Sequence, residues 1–475
     1  MPTRLGLLLA GLLLPLAVAA ADPTVEAAAI DNGTVRDTLL DRYTAERDDS
    51  FSYTLLRTYT DRPGFVGYAL NLVSQTWRDA DEVSHPEWTH KLRIIRPENA
   101  THDTALLLIG GDRRRSSPPR ELEEPLYMVA ELTQSIVIAI PNVPNQPMEL
   151  ESDGEQRYED DLLAETWLKA KRDGDPGWII HLAMVESAVA AMDAAQAFLA
   201  SEAGGGVEIE GFVVAGGSKR GWTTWLTAAV DERVRAIVPI VIDTLNLPAT
   251  MQHHWGAYGF WAPAIHDYTD RKLFGVLDSS DGRLLRTIVD PYLYRDRYRM
   301  PKMLLNSAGD QYFLPDTTRY YLDDLPGLTR LRVVPNTNHS LDRNLDAVQS
   351  ALGFYVAVLH ERRIPELVWE VEAEKPGVLR VTSDAEPYEV TLWQAHNPEA
   401  RDFRQVEIGN AWTATPLTAD GTGAYTTMVK TPESGYRAFF VEARYRLQGL
   451  PLPLTFTTEV QVVPDVLPFA DKPMQ

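Results

Sequence analysis

Phe212-Val213-Val214-Ala215-Gly216-Gly217-Ser218-Lys219-Arg220-Gly221-Trp222 decides how the rest of this chain is read. The apolar, β-branched opening predicts a buried strand, and Trp222-Thr223-Thr224-Trp225 begins a helical stretch, so Ser218 falls on the turn between them. A tight strand-to-helix turn holds its central residue at strained backbone angles with its side chain exposed above the sheet. Small neighbours are needed, because side chains there would clash with the turn. A nucleophilic serine belongs at such an elbow. The usual spacing is G-x-S-x-G; here Arg220 takes the last position and glycine follows one residue later. Taken alone, a Gly-Gly-Ser turn is also a common plain connection.

Two later sites bear on the choice. An acyl-transfer serine needs a histidine to take its proton and a carboxylate to hold that histidine in the right tautomer. Pro301-Lys302-Met303-Leu304-Leu305-Asn306 predicts a buried strand running into Ser307-Ala308-Gly309-Asp310, which makes Asp310 the candidate acid. Leu331-Arg332-Val333-Val334 predicts another strand, ending in Pro335-Asn336-Thr337-Asn338-His339, with a helix from about Leu341; His339 is the candidate base. Each residue singly reads as well as a turn or loop residue. Ser, Asp and His in this order, each after a strand, is the chain order of α/β-hydrolases and predicts a doubly wound sheet of that class. Asp243, at the end of Ala236-Ile237-Val238-Pro239-Ile240-Val241-Ile242, is the alternative acid. Asp316 reads better as a helix start.

An oxyanion hole requires two backbone N–H groups. Lys219 supplies the one after the serine. Gly110 and Gly111, after the predicted strand Thr104-Ala105-Leu106-Leu107-Leu108-Ile109, are candidates for the second, although glycines after strands also mark ordinary turns. The basic pair Lys219-Arg220 beside the serine suggests recognition of an anionic substrate group. The alternative is structural, with Arg220 buried against Asp243 or Asp310. Residues 247–284 carry His253, His254, Trp255, Tyr258, Phe260, Trp261 and Tyr268 between two core strands and predict a lid. Trp255 and Trp261 are candidate substrate contacts, against the plainer reading of aromatic packing. His253-His254 lacks the spacing and carboxylate partners of a metal site, and neither metal nor cofactor is expected.

These residues resemble the PhoPQ-activated pathogenicity-related family, also labelled autocrine proliferation repressor proteins. The resemblance is carried by Ser74-Gln75-Thr76-Trp77, Pro144-Asn145-Gln146-Pro147, Arg157-Tyr158-Glu159-Asp160 with Thr166-Trp167, and Gly217-Ser218-Lys219-Arg220-Gly221-Trp222. It continues through Ile242-Asp243-Thr244-Leu245-Asn246, Val289-Asp290-Pro291-Tyr292, Pro315-Asp316 and Val334-Pro335-Asn336 with His339. It implies secretion, an α/β-hydrolase core and a serine hydrolase site, and it implies no substrate. Asp112 after Gly110-Gly111 departs from the small residue expected there. The basic residue after the serine also resembles that of glucuronoyl esterases.

Arg4 precedes an uncharged stretch from Leu5 to Val18, and small residues around Ala19 and Ala21 fit signal-peptidase cleavage, so residues 1–21 read as a signal peptide. That stretch is shorter than the ~20 residues of a membrane span. Without Arg4 the net charge of −22 becomes −23. Such an acidic chain lacks the clustered Lys/Arg that nucleic acid or anionic lipid requires, so neither partner is expected, nor stable membrane insertion. With no cysteine there is no disulfide and no thiolate nucleophile.

The organisation expected is a catalytic domain over residues 22–366 and a smaller one over 367–475. In the latter, runs such as Val378-Leu379-Arg380-Val381-Thr382 and Ala438-Phe439-Phe440-Val441-Glu442 alternate with period two, predicting a β-sandwich similar to immunoglobulin or fibronectin modules. The expected protein is an exported serine hydrolase, periplasmic or extracellular, acting on a small-molecule, carbohydrate-ester or peptide substrate. The alternatives are a secreted binding or signalling protein with a vestigial site, or an exopeptidase holding a free amino terminus through Glu159, Asp160 or Asp161.

Overall fold

The computed structural model describes residues 30–474, except 32, 278, 342–343, 373–374 and 376; the expected signal peptide lies outside the described residues. After a short ribbon of β1 (Ile30–Asp31) and β2 (Thr34–Val35) comes helix α1 (Leu39–Ala45). The molecule is then built on a nine-stranded sheet. Its strands are β3 (Ser52–Tyr59), β4 (Phe65–Thr76), β5 (Glu87–Pro97), β6 (Thr104–Ile109), β7 (Val137–Ile140), β8 (Gly211–Gly217), β9 (Val234–Ile240), β10 (Lys302–Ser307) and β11 (Thr329–Val334). Their spatial order is β11-β10-β9-β8-β6-β7-β5-β4-β3.

The first three strands form an antiparallel meander, and β5 meets β7 antiparallel. From β7 to β11 every pairing is parallel. Phe212, Val213, Val214 and Ala215 on β8 are all buried, because a central parallel strand is covered on both faces by its crossover helices. Ala215 pairs with Leu108 on β6 and Val238 on β9, which places the end of β8 at the middle of the sheet.

Helices α2 (Glu124–Thr133), α3 (Glu159–Asp173), α4 (His181–Ala200) and α5 (Lys219–Val230) connect these strands. The insertion between β9 and β10 holds α6 (Leu247–Tyr258), α7 (His266–Thr269) and α8 (Ser280–Val289), and α9 (Leu345–Leu359) follows β11. The helix expected from Leu341 thus starts four residues later. There Asn344 caps it, its side chain accepting from the amides of Asp346 and Ala347.

The C-terminal part is antiparallel. One sheet joins β12 (Leu367–Val371), β13 (Val378–Ser383) and β16 (Tyr425–Met428). The other joins β14 (Glu389–Asn397), β15 (Thr413–Pro416), β17 (Tyr436–Tyr445), β18 (Leu454–Thr457) and β19 (Gln461–Val463). The single turn α10 (Gln405–Ile408) lies between β14 and β15. Arg401 fixes this part to the rest through a fully buried ion pair, its Nη2 2.6 Å from Asp316 Oδ2. Asp316 Oδ1 in turn accepts from His253 Nε2 at 2.9 Å. Burial disfavours the Asp316 charge, but Arg401 and His253 outweigh it and hold the carboxyl well below its ordinary range.

Candidate active site

Ser218 sits between β8 and α5 with φ 57° and ψ −127°, a backbone conformation that a side chain rarely adopts. Two glycines make it feasible. A Cβ on Gly216 would lie 2.5 Å from the Arg220 carbonyl oxygen and 2.9 Å from Arg220 Cβ, and one on Gly221 would lie 2.9 Å from the Gly216 oxygen. The small positions of this elbow are therefore 216 and 221, with open space around Gly217, and this is how Arg220 fits where a glycine is usual. The Ser218 amide donates to Ile240 O at 2.8 Å, anchoring the turn to the neighbouring strand.

The loops after β10 and β11 bring the acid and base to this serine. Asp310 Oδ2 accepts from His339 Nδ1 at 2.8 Å, and His339 Nε2 accepts from Ser218 Oγ at 2.8 Å. Asp310 Oδ1 accepts from the Tyr312 amide at 2.8 Å, and the His339 amide donates to Gln311 Oε1 at 3.1 Å. The Tyr312 ring lies 4.3 Å from the imidazole, centroid to centroid. Below the pair, Ser307 Oγ donates to Thr337 O at 2.7 Å, tying one loop to the other. With Nδ1–H fixed on Asp310, Nε2 is left as the proton acceptor that a serine nucleophile requires.

Asp243, the alternative acid, does not reach the histidine; it accepts from Tyr321 OH instead. Burial pushes its carboxyl up to about 7, with the Tyr321 hydrogen bond opposing and the nearby Asp310 charge adding to the rise. Of the oxyanion candidates, Lys219 has the first N–H of α5, which no carbonyl of the helix can satisfy. The Gly110 N–H is ruled out, because it donates to Ile140 O at 2.8 Å. The Gly111 N–H makes no hydrogen bond among the described residues. A Cβ on Gly111 would fall 2.6 Å from Arg220 Nη2, so the glycine makes room for this guanidinium.

The basic pair is not free to read a substrate. Arg220 makes two bonds to Glu159, Nη1 to Oε2 at 2.6 Å and Nη2 to Oε1 at 2.8 Å, while Nε donates to Val143 O at 2.6 Å. Its carboxylate partner is thus neither Asp243 nor Asp310. Lys219 Nζ lies 2.8 Å from Asp160 Oδ2 and 3.2 Å from Glu159 Oε2. Burial alone would raise the Glu159 pKa; the Arg220 hydrogen bonds, the charges of Arg220 and Lys219 and the Gln146 amide together bring it down to about 2. The three carboxylates considered for an amino terminus are all engaged, since Asp160 also accepts from Tyr268 OH at 2.9 Å and Asp161 from Arg271 at 2.6 Å.

Trp255 is buried, donates to Lys472 O at 3.1 Å and packs on Trp261. Neither tryptophan lines the cavity at Ser218. That cavity takes Leu247, Met251, Ile265, Tyr268 and Phe274 from the insertion, and Trp167, Trp222 and Tyr312 from the core. The sequence pattern missed these because aromatic density does not tell which faces of α6 and α7 turn inward.

A model of the PhoPQ-activated pathogenicity-related proteins matches residues 40–404. The chain belongs to that family. Autocrine proliferation repressor protein A of Dictyostelium discoideum is 35% identical over 461 residues, covering 92% of each chain. Among solved structures, acetyl xylan esterase 1 from Thermoanaerobacterium sp. JW/SL YS485 aligns over 67% of this chain and 92% of its own, at 15% identity and a TM-score of 0.46. A glucuronoyl esterase from Solibacter usitatus aligns over 67% and 91%, at 12% identity and 0.38.

Proposed function

We propose that this member of the family is a serine hydrolase of the α/β-hydrolase class, cleaving an ester or amide through an acyl-enzyme. The observation that carries the reading is the unbroken chain from Ser218 Oγ through His339 to Asp310, with both links at 2.8 Å. Ser218 attacks the carbonyl carbon as its proton passes to His339 Nε2, and the oxyanion is met by the amides of Lys219 and Gly111. His339 then protonates the leaving group. Water, deprotonated by the same nitrogen, releases the acid and restores the serine. Asp310 keeps the imidazole in the required tautomer and stabilises its charged form.

In this reading residues 247–284 form a lid and residues 1–21 direct export. The two C-terminal sheets make a sandwich-like unit from about residue 367, which is supported by Leu379 and Val381 of one sheet sharing an apolar cluster with Leu392, Phe439 and Val441 of the other. A secreted binding protein with a vestigial site would not need the strained Ser218 backbone and its two matched glycines. The test is labelling with a fluorophosphonate probe. Wild type should react, and Ser218→Ala should lose all labelling at an unchanged circular dichroism spectrum; labelling that survives in the variant overturns the assignment.

A further inference from the structure

Two spaces of very different size lie at Ser218 and at the loops that carry Asp310 and His339. The first is the cavity at Ser218, about 40 Å³ and walled mostly by apolar side chains. That is room for about three waters, or for an acyl group of two or three carbons. The second is a cleft of about 710 Å³ whose floor includes Gln311 and Asn338, the chain neighbours of Asp310 and His339. Pro263 and Ala264 of the insertion form one side, and the segment from Arg404 to Asn410 forms the other.

Acyl transfer assigns the two spaces. His339 Nε2 must hand its proton to the leaving group, so the leaving group lies on the His339 side, and the large cleft is the space bordered by Asn338 and by Gln311, which bonds the His339 amide. The acyl group then occupies the small cavity at Ser218 and Lys219. Tyr312 lines the cavity while Gln311 lines the cleft, so the two spaces flank one short stretch of backbone.

The cleft sets polar groups among the apolar surfaces of Pro263, Ala264 and Val406. Gln311, Asn338, Gln405 and Asn410 line it with carboxamides; Gln311 Oε1, Asn338 Oδ1, Gln405 Nε2 and Asn410 Oδ1 are bonded within the protein, which leaves Gln311 Nε2, Asn338 Nδ2 and Asn410 Nδ2 as donors and Gln405 Oε1 as an acceptor. Arg404 is paired with Asp402 at 2.5 Å and Glu407 at 3.1 Å, so its charge is not offered to a ligand. Such a surface suits a neutral group rich in hydroxyls. A peptide fits it poorly, because the acyl side of a peptide is itself a chain and the small cavity has no room for one.

The segment from Arg404 to Asn410 is tied to the loops that carry the acid and the base. The Gln405 amide donates to Gly309 O at 2.9 Å, and its Nε2 donates to Asn336 O at 3.1 Å and Asn410 Oδ1 at 2.9 Å. Asn336 exchanges hydrogen bonds with Trp412, Nδ2 to O at 2.9 Å and Trp412 N to Oδ1 at 3.0 Å. A Cβ on Gly309 would lie 2.9 Å from Gln405 Cβ, so the glycine before Asp310 is the seat of this contact.

We propose that residues 404–410 form a leaving-group subsite, and that it takes the sugar portion of a carbohydrate ester whose acyl group is short. This deepens the serine-hydrolase reading and rests on it. Val406, 77% exposed at the cleft, allows a test that leaves the core intact. The readout is kcat/KM for acetylated cellotriose divided by kcat/KM for 4-nitrophenyl acetate.

Val406→Trp, which narrows the cleft, should lower this ratio at least tenfold. Fluorophosphonate labelling of the same preparation reports that the variant is folded at Ser218. A ratio within twofold of wild type overturns the subsite, and so does a wild type that turns over 4-nitrophenyl acetate or an acetyl-peptide anilide but not the sugar acetate. Wild type that takes up no fluorophosphonate, or labelling that survives Ser218→Ala, overturns the serine-hydrolase reading itself.

Discussion

Replacing Arg220 by Met tests whether the basic pair at the elbow is structural. The change removes the two-pronged partner of Glu159 and the Nε donor to Val143 O. The fall of the Glu159 pKa from 4.5 to about 2 corresponds to roughly 3 kcal/mol at full value. The Glu159 side chain is 41% exposed, so solvent screening reduces this to about 1.5 kcal/mol. The lost bond to Val143 adds about 1 kcal/mol. Arg220→Met should therefore destabilise the protein by about 2–3 kcal/mol at pH 7 in urea unfolding followed by circular dichroism. The sign with pH follows from a depressed carboxyl: its contribution is complete above 4.5 and is lost as pH falls toward 2. The gap between wild type and variant should be constant from pH 7 to 5 and should narrow below 4.5. KM for acidic and neutral substrates should change by the same factor. A variant as stable as wild type at pH 7, or a KM rise confined to acidic substrates, would refute the reasoning and return the pair to substrate recognition.

Asp310→Asn should lower kcat by about 10⁴, since the asparagine favours the wrong imidazole tautomer, while KM stays within a few-fold; steady-state kinetics on any turned-over ester checks this. Asp243→Asn should leave kcat within tenfold. Because burial raises the Asp243 pKa to about 7, wild type should lose stability as pH rises from about 4 through 7, and denaturation between pH 5 and 8 should show that the variant lacks this loss. Arg401→Met leaves buried Asp316 with His253 and a longer contact to Arg319 at 3.6 Å and should cost about 3 kcal/mol in urea unfolding, the low end for a broken buried pair, with Asp316→Asn on the same background recovering part of the loss.

The elbow was legible because its signal is local: strand, serine and helix lie within a dozen residues, and the glycines at 216 and 221 answer clashes inside the same turn. The order of Ser218, Asp310 and His339 was legible for a topological reason, each following a parallel strand. Choosing Asp310 over Asp243 was not, since both end strands and only the packing of Tyr321 against Asp243 separates them. The partners of Lys219 and Arg220 lie about sixty residues upstream at Glu159 and Asp160, and no periodicity links an arginine on one helix to the first turn of another. A hint was present in Glu159-Asp160-Asp161, acidic residues at the start of α3 where the helix dipole favours them. Gly110 and Gly111 looked alike in sequence, yet one N–H is consumed by the sheet and the other glycine admits a guanidinium. The antiparallel character of the C-terminal sheets was visible in their alternation. Their attachment to the Asp310 and His339 loops was not, because hydrogen bonds from Gln405 to backbone carbonyls leave no mark in composition.

That attachment gives the molecule an order of assembly in time. Gln405 is made 66 residues after His339, from 405 − 339, which at about 5–20 residues per second is a delay of roughly 3–13 s during synthesis. The turn that presents Ser218 is complete long before then, whereas Gly309 and Asn336 still wait for the contacts that seat their loops. A chain that ends short of residue 405 lacks both of these loop contacts. The loops that carry Asp310 and His339 are thus completed by a segment of chain made after both of them, whereas every group of the Ser218 turn precedes them.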